Sequence, residues 1–232
     1  MKAQFRFDPV LLPFLEKCRR ATAFQYDCAR GATLKNAIEA LGVPHTEVGG
    51  LAVNGERATL QRIVREGDSI DIRGPNPGSD PDLRFVADAH LGGLARFLRM
   101  LGFDTLYQND FADEEIRRLA EDEKRIVLTR DRELLKCREI ARGAYVRALK
   151  PEAQLAEVAA RYGLEASARP FSLCLSCNLP LQPIDKTDIA ARVPAEVYRL
   201  HEHFVRCPGC DGVFWPGSHY RRMLSALRGS LG

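Results

Sequence analysis

No apolar run in the 232-residue chain approaches the roughly 20 consecutive residues that a membrane helix requires. The alternating, charged start KAQFRF also lacks the apolar core of a signal peptide, so a cytoplasmic setting is the expectation. An even cysteine set is missing too: seven thiols cannot all pair, which fits a reducing compartment better than a disulfide framework. Charge of one sign is scarce. Formal net charge is only +3, so composition does not by itself mark a nucleic-acid binder, and the basic excess sits in residues 166–232, with 8 basic against 5 acidic side chains. What is present, 45% hydrophobic and 28% charged residues, is the mix of a globular protein and excludes a disordered chain. The length allows one large domain or two to three small ones.

Residues 1–74 come first. KAQFRF alternates with period two, as a half-buried strand does, and 10–18 reads as a short helix. Phe24 to Cys28 predicts a second strand. Thr33 is a plausible N-cap for a helix carrying Leu34, Ala37, Ile38 and Leu41 on one face, stopped by Gly42 and Pro44. Leu51 to Val53 meets the turn dipeptide Asn54-Gly55, and Asp68 to Arg73 alternates again. Cys18 and Cys28 fall in regular structure and are expected to be buried small hydrophobes. The helix GATLKNAIEALG with VNGE and EGDSIDI resembles the β-grasp, ubiquitin-like family that includes thiamine and molybdopterin sulfur carriers. Those carriers present a free Gly-Gly tail, whereas here the chain runs on through Gly74. The resemblance therefore implies the fold and a possible docking partner, not carrier chemistry, and Gly49-Gly50 reads as an internal turn.

Residues 75–82 belong to a proline- and glycine-rich stretch, GPNPGSDPD, that reads as an accessible linker and the first site of proteolysis. Residues 83–165 then alternate strands and helices: strands at 84–87, 105–107, 125–128 and 144–146, helices at 91–101, 113–122 and 151–162, and a helical turn at 131–137. That alternation predicts an α/β domain, a parallel sheet with flanking helices. Asp88, Asp113 and Asp131 would each follow a strand at the carboxyl edge, where open sheets place ligand chemistry. Three convergent carboxylates repel one another, and a hard cation such as Mg²⁺ or Mn²⁺ neutralises them and serves phosphodiester hydrolysis. Each acid also has an ordinary explanation: Asp88 and Asp113 as helix caps, Asp131 as a partner of Arg130 or Arg132. Arg96 and Arg99, one turn apart on the helix after Asp88, could track phosphates or simply face solvent.

Residues 166–232 hold the most specific pattern, Cys174-x-x-Cys177 and Cys207-x-x-Cys210, separated by 29 residues. Two such knuckles supply four thiolates to one tetrahedral Zn²⁺, a closed structural site that helps fold a zinc ribbon poor in apolar residues. In the tail FWPGSHYRRM, Trp215, His219, Tyr220, Arg221 and Arg222 interleave aromatics with bases, as suits RNA, although Phe214 and Trp215 could equally pack on a knuckle.

FVADAHLGGLARFLRMLGFDT, ADEEIRRLAEDEKRIVLTRDREL and the cysteine module together resemble the PIN-like ribonuclease domain of the Mut-7 C-terminal family. The resemblance implies a metal-dependent ribonuclease with Asp88, Asp113 and Asp131 as metal-binding acids and Thr129 orienting a ligand. Many PIN nucleases carry a fourth acid, for which Glu114 and Glu133 are candidates. A non-catalytic RNA-binding or adaptor protein stays open as the alternative. A phosphohydrolase of small nucleotides is disfavoured, because small substrates need no appended ribbon.

Overall fold

In the computed structural model the described residues are 1–20, 23–78, 80–218, 220 and 221. The first sheet contains β1 (Lys2–Phe7), β2 (Phe24–Asp27), β3 (Gly50–Val53), β4 (Glu56–Arg57) and β5 (Ser69–Arg73), with α1 (Leu34–Ala40) packed on it. Strand order is β2-β1-β5-β3-β4, and only β1 and β5 run parallel. Alternation in β1 turns Ala3, Phe5 and Phe7 inward onto Leu34, Ile38 and Ile72. Thr33 caps α1, its Oγ1 accepting from Asn36 N at 3.2 Å. Asn54 and Gly55 both take positive φ, 53° and 85°, as the tight β3–β4 hairpin requires. Asp68 is buried, receives both terminal nitrogens of Arg62 at 2.6 and 3.1 Å, and ties down the start of β5. This is a β-grasp fold.

Two expectations fail here. The segment 10–18 is not an α-helix but two short 3-10 turns, Pro9–Phe14 and Lys17–Arg19. Pro13 removes a donor inside the first, and Leu15 is extended. Cys18 therefore lies exposed, while Cys28 is buried as expected.

The second sheet is wholly parallel, in the order β7-β6-β8-β9: β6 (Phe85–Ala87), β7 (Thr105–Leu106), β8 (Ile126–Thr129) and β9 (Gly143–Tyr145). β6 and β8 are buried along their whole length, because helices cover both faces. Phe85, Ala87, Ile126 and Leu128 face α2 (Gly92–Met100) and α4 (Pro151–Tyr162), while Val86 and Val127 face α3 (Asp113–Glu123). A 3-10 turn, Ala89–Leu91, precedes α2, and Gly102, with φ 88°, ends it.

The third sheet, β10 (Gln182–Ile184), β11 (Phe204–Arg206) and β12 (Val213–Phe214), packs with α5 (Ala195–Leu200) around Ile189, Val193 and Phe204. Among the described residues no helix is long and apolar enough to cross a membrane.

The stretch expected to be an accessible linker is docked. Gly78 N donates to Arg161 O, and Arg142 pairs with Asp80. The first two sheets are also clamped directly. Glu47, 1% exposed, receives Arg161 Nη1 at 2.7 Å and Tyr145 N at 2.8 Å, and His45 Nε2 reaches Ile140 O at 2.9 Å.

Candidate active site and metal centre

The chain enters the parallel sheet at β6, crosses to β7 on one side and returns to β8 on the other. Strand order reverses between β6 and β8, and the carboxyl ends of strands at such a switch point are where open α/β sheets bind ligands. Asp88 follows β6 there. It is 9% exposed, and its side chain caps nothing; its Oδ2 receives the Thr129 hydroxyl at 2.7 Å. Thr129 Oγ1, fully buried at the end of β8, in turn accepts Asp131 N at 2.9 Å. One hydroxyl thus fixes a carboxylate on one strand and the backbone of the next acid on its neighbour.

Asp131 is exposed, and its Oδ1 accepts from Glu133 N at 2.7 Å and Leu134 N at 3.4 Å. Its Oδ2, like Asp88 Oδ1, has no hydrogen-bond partner among the described residues. The flanking arginines do not neutralise it: Arg130 donates to Ala148 O, and Arg132 to Phe14 O while lying over the Phe14 and Tyr145 rings. Asp113 is the first residue of α3, exposed, and not its cap, because Ala112 occupies that position without a side-chain bond. Burial pushes the Cys137 thiol up, and the charges of both Asp113 and Asp131 act on it in the same direction. Asp88, Asp113 and Asp131 are nevertheless not gathered as tightly as the cysteines described below. Of the fourth-acid candidates, Glu114 is exposed and Glu133 pairs with Lys136 at 2.6 Å.

Two glycines after Asp88 had no role in the sequence reading and acquire one here. A Cβ on Gly92 would lie 2.4 Å from Tyr107 Oη, and one on Gly93 would lie 2.6 Å from Pro151. They let the β7 loop and the start of α4 close on the first turn of α2. Tyr107 then donates to Ala89 O, beside Asp88.

Arg96 is exposed on α2, but Arg99 corrects its expectation. It is 5% exposed, with Nε on Thr105 O at 2.8 Å and Nη1 on Leu175 O and Ser176 O at 3.0 and 2.9 Å. Its guanidinium holds the first cysteine knuckle instead of facing phosphate. Asn178, at φ 60°, completes that seam by accepting Thr105 N and donating to Asp104, which pairs with Arg125.

Cys174, Cys177, Cys207 and Cys210 place their sulfurs within 4.8 Å of one another. The Cys174–Cys210 separation is 3.7 Å, against about 3.8 Å for two corners of a tetrahedron with 2.3 Å metal–sulfur bonds. Four thiols this close cannot all ionise unaided. Burial opposes ionisation of Cys207, but the amides of Cys210 and Gly209 and the neighbouring thiols outweigh it and bring it to about 7. The Cys210 contact, then burial, pushes Cys177 up to about 12. A bound cation would supply the missing countercharge, so the set could hold a metal ion.

In the tail, Trp215 packs beside Phe204, ring centroids 6.3 Å apart, and Tyr220 lies against Phe171 at 4.7 Å. Arg221 is exposed; His219 and Arg222 lie outside the described residues.

No curated protein matches the chain. Among solved structures, small archaeal modifier protein 1 of H. volcanii is 18% identical, with a TM-score of 0.27, and the match covers 32% of this chain and 98% of that one. A putative molybdopterin converting factor, subunit 1, from Pyrococcus furiosus is likewise 18% identical, with a TM-score of 0.26 over 33% and 99% of the two chains. Residues 1–77 match the Mut7-C ubiquitin family. Residues 83–227, which carry both the acid edge and the four cysteines, match the Mut7-C RNAse domain, and the chain belongs to that family.

Proposed function

We propose that the protein is a metal-dependent ribonuclease that hydrolyses RNA phosphodiester bonds at the carboxyl ends of β6 and β8. The observation that carries this reading is the Asp88–Thr129–Asp131 relay, in which one buried hydroxyl ties the Asp88 carboxylate to the backbone of Asp131 at the switch point and leaves each acid a free oxygen. Mg²⁺ or Mn²⁺ suits this donor set, since Mg²⁺ takes only one or two carboxylates and keeps several waters, and it would supply water activation and charge stabilisation. Asp88 and Asp131 would hold it from the strands, and Asp113, from the first turn of α3, would hold it through one of its waters. Thr129 keeps Asp88 oriented. The four cysteines hold structural Zn²⁺, for which a reducing compartment such as the cytoplasm is suited. The ribbon, through Trp215, Tyr220, Arg221 and the undescribed His219 and Arg222, with Arg96 on α2, contacts RNA. The β-grasp unit, already docked on the nuclease domain, offers its outer strands β2 and β4 to a protein partner.

The alternative, an RNA-binding or adaptor protein without catalysis, draws support from Asp113, which stands exposed and is not gathered tightly with the other two acids. Asparagine decides between them, because it keeps an acceptor oxygen and loses the charge. Asp88→Asn, Asp113→Asn and Asp131→Asn should each abolish Mg²⁺- or Mn²⁺-dependent cleavage of RNA without lowering the melting temperature of zinc-loaded protein. Wild-type protein that binds RNA and never cleaves it with either ion would establish the adaptor reading; full activity in Asp113→Asn would remove that residue from the site.

A further inference from the structure

At the end of α2 farthest from Asp88, the nuclease domain meets the ribbon across an apolar cavity of about 260 Å³. Met100 and Leu175 form part of its wall, and the rings of Phe171, Phe214, Trp215 and Tyr220 form most of the rest. Phe171 and Tyr220 lie 4.7 Å apart with planes tilted by 59°. Phe171 holds a left-handed backbone, φ 60°, which a bulky residue adopts only where its surroundings impose it. The volume falls below the roughly 300 to 1,000 Å³ of drug-sized sites, leaving room for a single planar ring system.

Among the described residues, no charged side chain lines the space. Three exposed arginines flank its walls along the chain: Arg169 before Phe171, Arg221 after Tyr220, and Arg96 one turn before Met100. Asp211, before Phe214, is held by Arg192 at 2.8 Å. Gly92, Arg96 and Met100 recur every four residues and share one face of α2. That face runs about 12 Å, at 1.5 Å per residue, from the Asp88 end to the cavity.

We propose that the cavity receives one unstacked base of a single-stranded RNA, with Arg96 meeting a phosphate on the way to the acid edge. Every base has a π-face, so aromatic walls take it without sequence preference, whereas a duplex keeps its bases stacked and cannot enter. The direction of the strand rests on the ribonuclease reading; occupation of the cavity does not require cleavage.

Trp215 is the only tryptophan in the chain and reports directly on its own cavity. Full-length, zinc-loaded protein without added Mg²⁺ or Mn²⁺ is titrated with a single-stranded oligoadenylate, with the same strand annealed to its complement, and with an abasic strand of equal length. The single strand should change Trp215 emission saturably, and the duplex and abasic strands should bind at least about tenfold more weakly. Phe171→Leu keeps apolar bulk and removes the ring, so affinity should fall roughly 5- to 150-fold. Arg96→Ala should lower the salt slope by about one phosphate. Zinc content and melting temperature verify that each variant is folded, and the abasic comparison needs no variant at all. Equal binding of duplex or abasic strand, or unchanged affinity in folded Phe171→Leu, overturns the proposal. So does a signal that emerges only after residues 222–232 are deleted, which would assign the cavity to the chain's own terminus. Emission change in the titration, with no cleavage once Mg²⁺ or Mn²⁺ is added, sinks the ribonuclease reading and leaves the cavity standing; cleavage on adding the ion, without a strand-specific change in the titration, does the reverse.

Discussion

Removing one buried hydroxyl tests how the acid edge is built. Thr129→Val keeps the shape of the side chain and deletes the group that donates to Asp88 and accepts from Asp131 N. The bond to a carboxylate contributes about 1.5 to 3 kcal/mol and the neutral one about 0.5 to 1.5 kcal/mol. The backbone bond from Asp88 N to Leu128 O remains, but both hydroxyl bonds are lost, so local stability at the end of β8 should fall by about 2 to 4 kcal/mol. At about 1.4 kcal/mol per factor of ten, that is roughly a 30- to 1,000-fold loss of protection. Amide hydrogen exchange followed in a peptide spanning residues 125–137 reads this opening locally, without assuming that the three units unfold together. Metal-dependent RNA cleavage should fall with it, because Asp88 loses its orientation. Thr129→Ser keeps the hydroxyl and should retain most protection and activity. Protection in Thr129→Val within about threefold of wild type, with cleavage intact, would mean that the relay does not organise the site.

Three further outcomes follow from other parts of the molecule. Protein prepared without chelator should contain one zinc per chain, and Cys207→Ser should release it and unfold the ribbon while leaving the β-grasp unit folded; elemental analysis finding no zinc in wild type refutes this. Glu47→Ala removes the counter-charge of the largely buried Arg161 guanidinium, so it should cost about 3 to 5 kcal/mol and make residues 74–82 an earlier site of limited proteolysis than in wild type. The Arg62 hydrogen bond holds the Asp68 carboxyl below the usual range despite burial. Its contribution is therefore complete above the unfolded value, about 3.9, and is lost as pH falls through the lower folded value. The stability gap between wild type and Asp68→Asn should be widest above about pH 4 and close below it; a gap independent of pH would show that ionisation of Asp68 contributes nothing.

The local elements were legible because their causes are local. Period-two alternation in KAQFRF, the Thr33 cap, the Asn54-Gly55 hairpin and the continuous apolar runs of β6 and β8 act within a few residues of themselves. The four cysteines were legible as a group because two CxxC pairs are the spacing that a four-sulfur metal site would need, and the fold brings their sulfurs together. In the segment 10–18 the apolar content favours a helix, but Pro13, which lacks a backbone donor, breaks it into 3-10 turns.

What only the tertiary structure decided involves partners far apart in sequence. A helix arginine reads the same whether it meets solvent or a carbonyl more than 70 residues away, so nothing near Arg99 signalled its bonds to Leu175 and Ser176. The same holds for Arg161 and Glu47, which turned an apparent linker into a docked seam, and for Gly92, whose missing Cβ matters only because Tyr107 folds onto it. Sequence placed acids at the ends of strands. Strand order, set by which helix covers which face of the sheet, brought Asp88 and Asp131 onto neighbouring strands and put one buried hydroxyl between them.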